Sequence, residues 1–345
     1  MTNHIENIAF IRDGQKKRKK RHLIVVGVLL LLGIILSVLM MTVGNTYYSL
    51  KTVVQVLSGE DMDNATFTIL TLRLPRLIAG IATGFSFGLA GSVFQTMLRN
   101  PLANPNIIGI TSASSAGAVF CILILHAGGS IVFGGSILAA TITAVLIYFL
   151  SKLNKYSTGR LILVGIGFQA LMNSAVSYFL LIGNEKDLAS ALRWMSGSLN
   201  GVQMKSNYIL LLVMVICVPF ILFYAKSLKI LELGEESATT MGVNTNRTRG
   251  ILMVTSVILV AVATATTGPI AFVSFLSGPI VKRIAGYGNS SPALAGLFGV
   301  VLVLASDMIG QQVFAIRFPV GVITGLLGAP YLIYLLIRMN RHGEF

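Results

Sequence analysis

Charge is what this sequence has least of: aspartate, glutamate, lysine and arginine make up 11% of its 345 residues, against about 25% in a soluble globular domain. With 54% of the chain hydrophobic, water is not its main solvent. Cysteine is nearly missing too. Cys121 and Cys217 each lie inside an apolar run, which excludes a disulfide framework and a CxxC metal site and leaves both as small packing residues. Of the four histidines, His4, His22 and His342 lie near the termini and His126 stands apart, so no metal-ligand cluster and no cofactor is expected. No G-x-x-x-x-G-K-[ST] loop is present to cradle nucleotide phosphates. Acidic residues number 12 against 26 basic ones, a net charge of +14. That excess does not point to nucleic acid: the basic residues fall at the ends of apolar runs, where they meet lipid headgroups, and no basic stripe interleaved with aromatics appears.

What is there is a succession of long apolar runs. A bilayer core about 30 Å thick needs roughly 20 apolar residues per helix. Runs begin at Leu23 and near Leu77, Ile107, Ile131, Leu161, Tyr208, Ile251, Ile270, Ala293 and Val320, which predicts an all-α polytopic membrane protein of about ten spans, some short or broken; the eighth, from Ile270 to Val281, is expected to be short and interrupted by Gly278-Pro279. Three parts are expected: a basic tail over 1–22, a transmembrane domain over 23–338 and a second tail over 339–345. The first tail ends in Lys16-Lys17-Arg18-Lys19-Lys20-Arg21, suited to the anionic cytoplasmic leaflet. The run after it exceeds the apolar part of a signal peptide and lacks a small-x-small cleavage site, so an uncleaved first helix is favoured over a leader. Asn45 to about Asn64, with Glu60, Asp61 and Asp63, reads as an external loop carrying a short surface helix.

Alternating sides from a cytoplasmic N-terminus puts both termini inside. Lys51, Arg73, Arg76, Lys186, Arg193, Lys205 and Arg317 then fall outside, and the other nineteen basic residues, Lys155 among them, fall inside, the bias that positive-inside topology demands. The expected location is the cytoplasmic membrane.

Gly80, Gly84 and Gly88 recur every fourth residue, a stripe suited to close helix packing, with direct contact to substrate as the alternative. Three further segments carry more than composition. Leu72-Arg73-Leu74-Pro75-Arg76 sets two arginines three apart at an outer helix mouth, where they meet either headgroups or the carboxylates of another protein; this helix ends in Arg99-Asn100-Pro101-Leu102-Ala103-Asn104-Pro105. Leu233-Gly234-Glu235-Glu236-Ser237-Ala238-Thr239-Thr240-Met241-Gly242-Val243 has an acidic start and a glycine close, the pattern of a small helix that a soluble partner could press on, or else a plain loop. Thr267-Gly268-Pro269-Ile270-Ala271-Phe272-Val273 and Phe318-Pro319-Val320-Gly321 through Gly328-Ala329-Pro330 suggest broken or re-entrant helices around a pathway.

These segments, in this order over nearly all of residues 20–340, resemble the iron-siderophore, haem and cobalamin permease family of ABC importers. The resemblance implies a ten-helix permease subunit without its own ATPase activity. It pairs with a second permease subunit, as homodimer or heterodimer, binds two ATP-binding cassette subunits inside, and receives cargo from an extracytoplasmic substrate-binding protein. It also implies that Arg73, Arg76 and Arg317 contact acidic residues of that binding protein. Gly234, Glu235, Glu236, Ala238, Met241, Gly242 and Val243 would belong to the element that seats in the ATPase. Where many family members read Pro-His-Ile-Ala-Arg, this chain reads Gly278-Pro279-Ile280-Val281-Lys282, which puts any role of that histidine in doubt. Iron-siderophore uptake is the leading expectation, with haem or cobalamin as alternatives.

Two other classes fit less well. An ion-coupled transporter keeps ionisable groups deep in its spans, yet the later spans hold a single acidic residue, Asp307, near an outer end and expected to be hydrated or hydrogen-bonded. A membrane enzyme needs nucleophile, base or metal ligands at one depth, and Ser112, Ser114 and Ser115 have no histidine beside them in sequence.

Overall fold

The computed structural model describes residues 2–62, 64–152, 158–286 and 291–341. Asp63, Lys155, His342 and the rest of the tail beyond residue 341 lie outside the described residues. Every regular element among those described is a helix: α1 (Thr2–Thr42), α2 (Leu50–Leu57), α3 (Asn64–Thr66), α4 (Leu74–Met97), α5 (Ile110–Leu123), α6 (Ser130–Lys152), α7 (Thr158–Ile182), α8 (Glu185–Met195), α9 (Met204–Phe223), α10 (Ala225–Leu231), α11 (Glu235–Thr240), α12 (Thr245–Thr267), α13 (Val273–Ala285), α14 (Pro292–Gln312) and α15 (Val320–Arg341). Eight of them, α1, α4 with the turns before it, α6, α7, α9, α12, α14 and α15, hold segments long and apolar enough to cross a membrane. The remaining two of the ten apolar runs form α5 and α13, of 14 and 13 residues, about 20 Å each and so too short to span the core unaided. Helix α1 starts well before its apolar run, because lysine, arginine and glutamine are good helix formers and Lys17 pairs with Asp13 one turn back at 3.0 Å. The loop after α1 carries the expected short helix, α2, capped by the Ser49 side chain accepting from the Thr52 amide.

The centre of the bundle is α4, whose side chains are almost all buried from Ala79 to Met97. It runs antiparallel to α14, and the glycine stripe faces that neighbour. A methyl group on Gly84 would stand 2.6 Å from the Gly299 carbonyl oxygen, and one on Gly299 would stand 2.1 Å from that of Gly84. Gly88 meets the Ala295 carbonyl in the same way, and Gly80 meets Leu304 and Leu199. Close backbone approach of this kind holds helices together in lipid, where apolar burial gives no drive. Gly84→Ala is therefore expected to destabilise the fold by about 1–3 kcal/mol or more, read as a lowered unfolding midpoint in mixed micelles.

Two expectations about breaks need correction. The interruption around the eighth run lies at Gly268–Phe272, not at Gly278-Pro279: α12 stops at Gly268, Phe272 takes a left-handed conformation (φ 63°), and α13 then runs without a break through Pro279. The reason comes from a distant residue. Proline has no N–H to give the carbonyl four residues earlier, which is that of Phe275, and the Gln95 side chain of α4 donates to this oxygen instead at 3.0 Å. Gly278 makes room for that amide, since a methyl group there would sit 1.8 Å from Gln95 Oε1. The Pro-Val-Gly to Gly-Ala-Pro segment at the chain's end is likewise one helix, α15, continuous through Pro330. Gly278→Ala should lower stability by about 1–3 kcal/mol by displacing Gln95 from a buried carbonyl; the same change in a Gln95→Ala background should add little, and an additive result would refute this coupling.

The basic tail is tied to the body through Arg21. Arg21 donates to the carbonyls of Ile284 and Arg283 at 2.8 and 3.0 Å, occupying the otherwise open C-terminal carbonyls of α13.

Candidate functional site

Two polar faces stand at opposite ends of α4, which is 24 residues long and so about 36 Å. At its start, the chain enters α4 through a π-helical stretch, Phe67–Arg73, in which the Leu74 amide bonds to the Ile69 carbonyl five residues back. Pro75, in the first turn of α4, has no amide to extend the wider π pattern by another bond. The two arginines that flank it go to different partners. Arg73 donates to the carbonyl of Met41 in the last turn of α1 and to that of Thr46 just past it, and stacks 5.0 Å over the Tyr48 ring. Arg76 makes a bidentate pair with Asp307 of α14 at 2.6 and 2.7 Å and donates to Asn200 Oδ1 at 2.7 Å. Asp307 is only 2% exposed and Arg76 20%. The acidic residue of the later spans is therefore hydrogen-bonded, as its position suggested. Arg317, exposed between α14 and α15, donates to the Asn45 side chain, so Arg73 and Arg317 flank the same short segment after α1.

No local pattern announces that Arg76 finds Asp307, 231 residues away. A lone arginine and a lone aspartate, each near the outer end of an apolar run, were the available signal.

At the other end, Arg99 follows α4 and approaches Gly234. Here α10 and α11 form a protrusion before α12. Gly234 has a backbone conformation suited to glycine (φ 118°), as has Gly242 (φ 80°), which closes α11; the Val243 and Gly242 amides bond back to the Ala238 and Thr239 carbonyls at 2.9 and 3.0 Å, the paired bonds of a glycine-terminated helix. Ala238 is fully buried and pins α11 down. Glu235 pairs with Arg249 of α12 at 2.9 Å, and Glu232 with Lys282 of α13 at 2.7 Å, so the protrusion is tied to two neighbouring helices. Its outward face carries Glu236 between two large apolar side chains, Leu233 and Met241, 66% and 60% exposed. The protrusion thus holds two exposed apolar side chains among polar ones.

A third feature lies along α7. Asn173, Ser174 and Ser177 are exposed in the middle of this membrane-length helix. Polar groups at such depth face protein or a water-filled path rather than lipid.

A helical bundle of this length, with a rigid protrusion at one end and an arginine cluster at the other, is that of a polytopic membrane transport subunit. Residues 15–338 match the FecCD transport family, and the chain belongs to it. It is 30% identical to the ferric enterobactin transport system permease protein FepG of Escherichia coli over 83% of this chain and 87% of that one. It is 33% identical to the Fe(3+)-citrate import system permease protein YfmE of Bacillus subtilis over 93% and 96%. Among solved structures it superposes on one described as a metal-chelate type ABC transporter in an inward-facing conformation, with a TM-score of 0.81, 27% identity and coverage of 91% and 99%.

Proposed function

We propose that this chain is the permease subunit of an ABC importer that carries iron-siderophore complexes across the cytoplasmic membrane, with both termini on the cytoplasmic side. The observation that carries the reading is the pairing of family membership over residues 15–338 with an ordered protrusion whose apolar tips, Leu233 and Met241, are uncovered. On this reading α11 and its flanks, Gly234 to Val243, seat in a groove of each ATP-binding cassette subunit. Closure of the two ATPases on ATP pushes the protrusion, and the push passes to α12 through Glu235–Arg249 and to α13 through Glu232–Lys282. Both helices then shift together, and the pathway changes the side to which it opens. The transition is an equilibrium biased from both faces, by nucleotide inside and by loaded binding protein outside.

A second permease subunit would cover the polar face of α7, with Asn173, Ser174 and Ser177 lining the path between the two. On the outer face, Arg317 has an exposed side chain, and Arg73 lies at the edge of the same cluster; both are suited to acidic residues of a substrate-binding protein. Arg76 belongs to that docking site as a positioning residue, because its donors are taken by Asp307 and Asn200.

Iron-siderophore cargo is favoured over cobalamin by relatives named for ferric enterobactin, Fe(3+)-citrate, achromobactin and iron(3+)-hydroxamate, beside one named for cobalamin. The test is uptake of radiolabelled iron, supplied with a panel of chelators and as haem, in cells with and without the chain and with its native partners. Loss of uptake for one siderophore class establishes the function and its cargo. Unchanged iron uptake across the panel overturns the iron assignment.

A further inference from the structure

A cavity lies apart from both polar faces. A groove of about 890 Å³ runs between α6, α9 and α12 and is lined almost wholly by apolar side chains, among them Ala144, Phe149, Phe220, Val254 and Ile258. Along α12 it reaches from Asn246 to Val262, about 24 Å, more than half the depth of a bilayer's hydrocarbon core. Its rim belongs to lipid: every exposed side chain of α9 from Tyr208 to Phe223 is apolar or aromatic, in contrast to the polar face of α7.

The mouth of the groove is different. Asn246 and Arg247 line it at the first turn of α12; the Arg247 amide is already taken by the Asn244 side chain at 3.0 Å, so it is the two side chains, with the helix dipole, that favour an anion. Arg247 is exposed, and among the described residues no carboxylate pairs with it, whereas Arg249, two residues on, is buried and held by Glu235. Beside Arg247, Gly250 leaves open space: a methyl group built on it would meet nothing within 4 Å.

We propose that this groove is a binding site for one anionic membrane phospholipid, with an acyl chain lying along α12 and the phosphate headgroup held by the side chains of Arg247 and Asn246. The charge at the mouth and the apolar length behind it match the two halves of such a lipid, and a zwitterionic lipid matches only the second. The headgroup would rest beside the foot of α11, two residues from its anchor at Arg249.

The test uses the chain with its partner subunits in nanodiscs of equal phosphatidylglycerol and phosphatidylcholine. The complex is then extracted in mild detergent, and the retained lipids are counted by mass spectrometry. Phosphatidylglycerol should be retained about fivefold over phosphatidylcholine, the preference that one basic residue gives near a membrane surface, and Arg247→Gln should abolish the preference. Gly250→Phe, which fills the groove from its open end, should remove both lipids while the complex keeps its gel-filtration profile and ATPase activity. Equal retention of the two lipids in the unsubstituted complex, or a preference that survives Arg247→Gln, would overturn the proposal. So would full retention of lipid by a folded Gly250→Phe complex, or disulfide cross-linking between two copies through Val254→Cys, which would show the groove to be covered by protein.

Discussion

Arg76→Ala is expected to lower the unfolding free energy by about 3–5 kcal/mol, because it leaves the Asp307 carboxylate, 2% exposed, without its counter-charge in the bundle. Asp307→Ala should be comparably harmful from the other side, though Arg76, with a fifth of its surface exposed, can reach water and soften the loss. The joint change Arg76→Met with Asp307→Leu should restore most of the stability, since a buried ion pair replaced by apolar side chains of similar size is often neutral or better. Reversible unfolding of the four forms in mixed micelles reads the coupling directly. A double variant as unstable as the sum of the single ones would show that the pair is not a unit, and transport lost in a stable double variant would assign Arg76 a docking role of its own.

Placing glutamate at both Leu233 and Met241 should reduce partner-stimulated ATP hydrolysis and import by roughly 100-fold. Each carboxylate would have to be buried unpaired in an apolar contact, and about 3 kcal/mol of lost association corresponds to that factor. Both side chains are more than half exposed in the chain by itself, so its own unfolding midpoint should change little. Co-purification of the ATPase subunits measures the loss of assembly. Wild-type assembly and hydrolysis in the double variant would show that the protrusion is an ordinary solvated turn.

Much of this architecture was readable from residue order because a membrane imposes a simple rule: about twenty apolar residues per crossing. The ten runs became eight long helices and two short ones in the expected places, and the glycine bounds of α11 at Gly234 and Gly242 mark real turns. What could not be read depends on contacts between distant parts of the chain. Gly278-Pro279 looked like a helix break, and locally it would be one. Gln95, on another helix, supplies the missing hydrogen bond, so the helix continues there, and the break is the one that Thr267 to Val273 announced. The pairing of Arg76 with Asp307 and the groove beside α12 are likewise products of assembly, with no local pattern to announce them. The anchoring of α1 to α13 through Arg21 also had no local signal.

The crossing of α4 and α14 has a consequence for how this chain can drift over generations. Where Gly84 and Gly299 meet, each is confined by the other's carbonyl oxygen rather than by a side chain. A change at one cannot be answered by a change at the other, because no substitution removes a backbone atom. Arg76 and Asp307 can in principle be exchanged together for an apolar couple and leave no scar. Among descendants, the ion pair should therefore vary in concert, while the two glycines should simply stay.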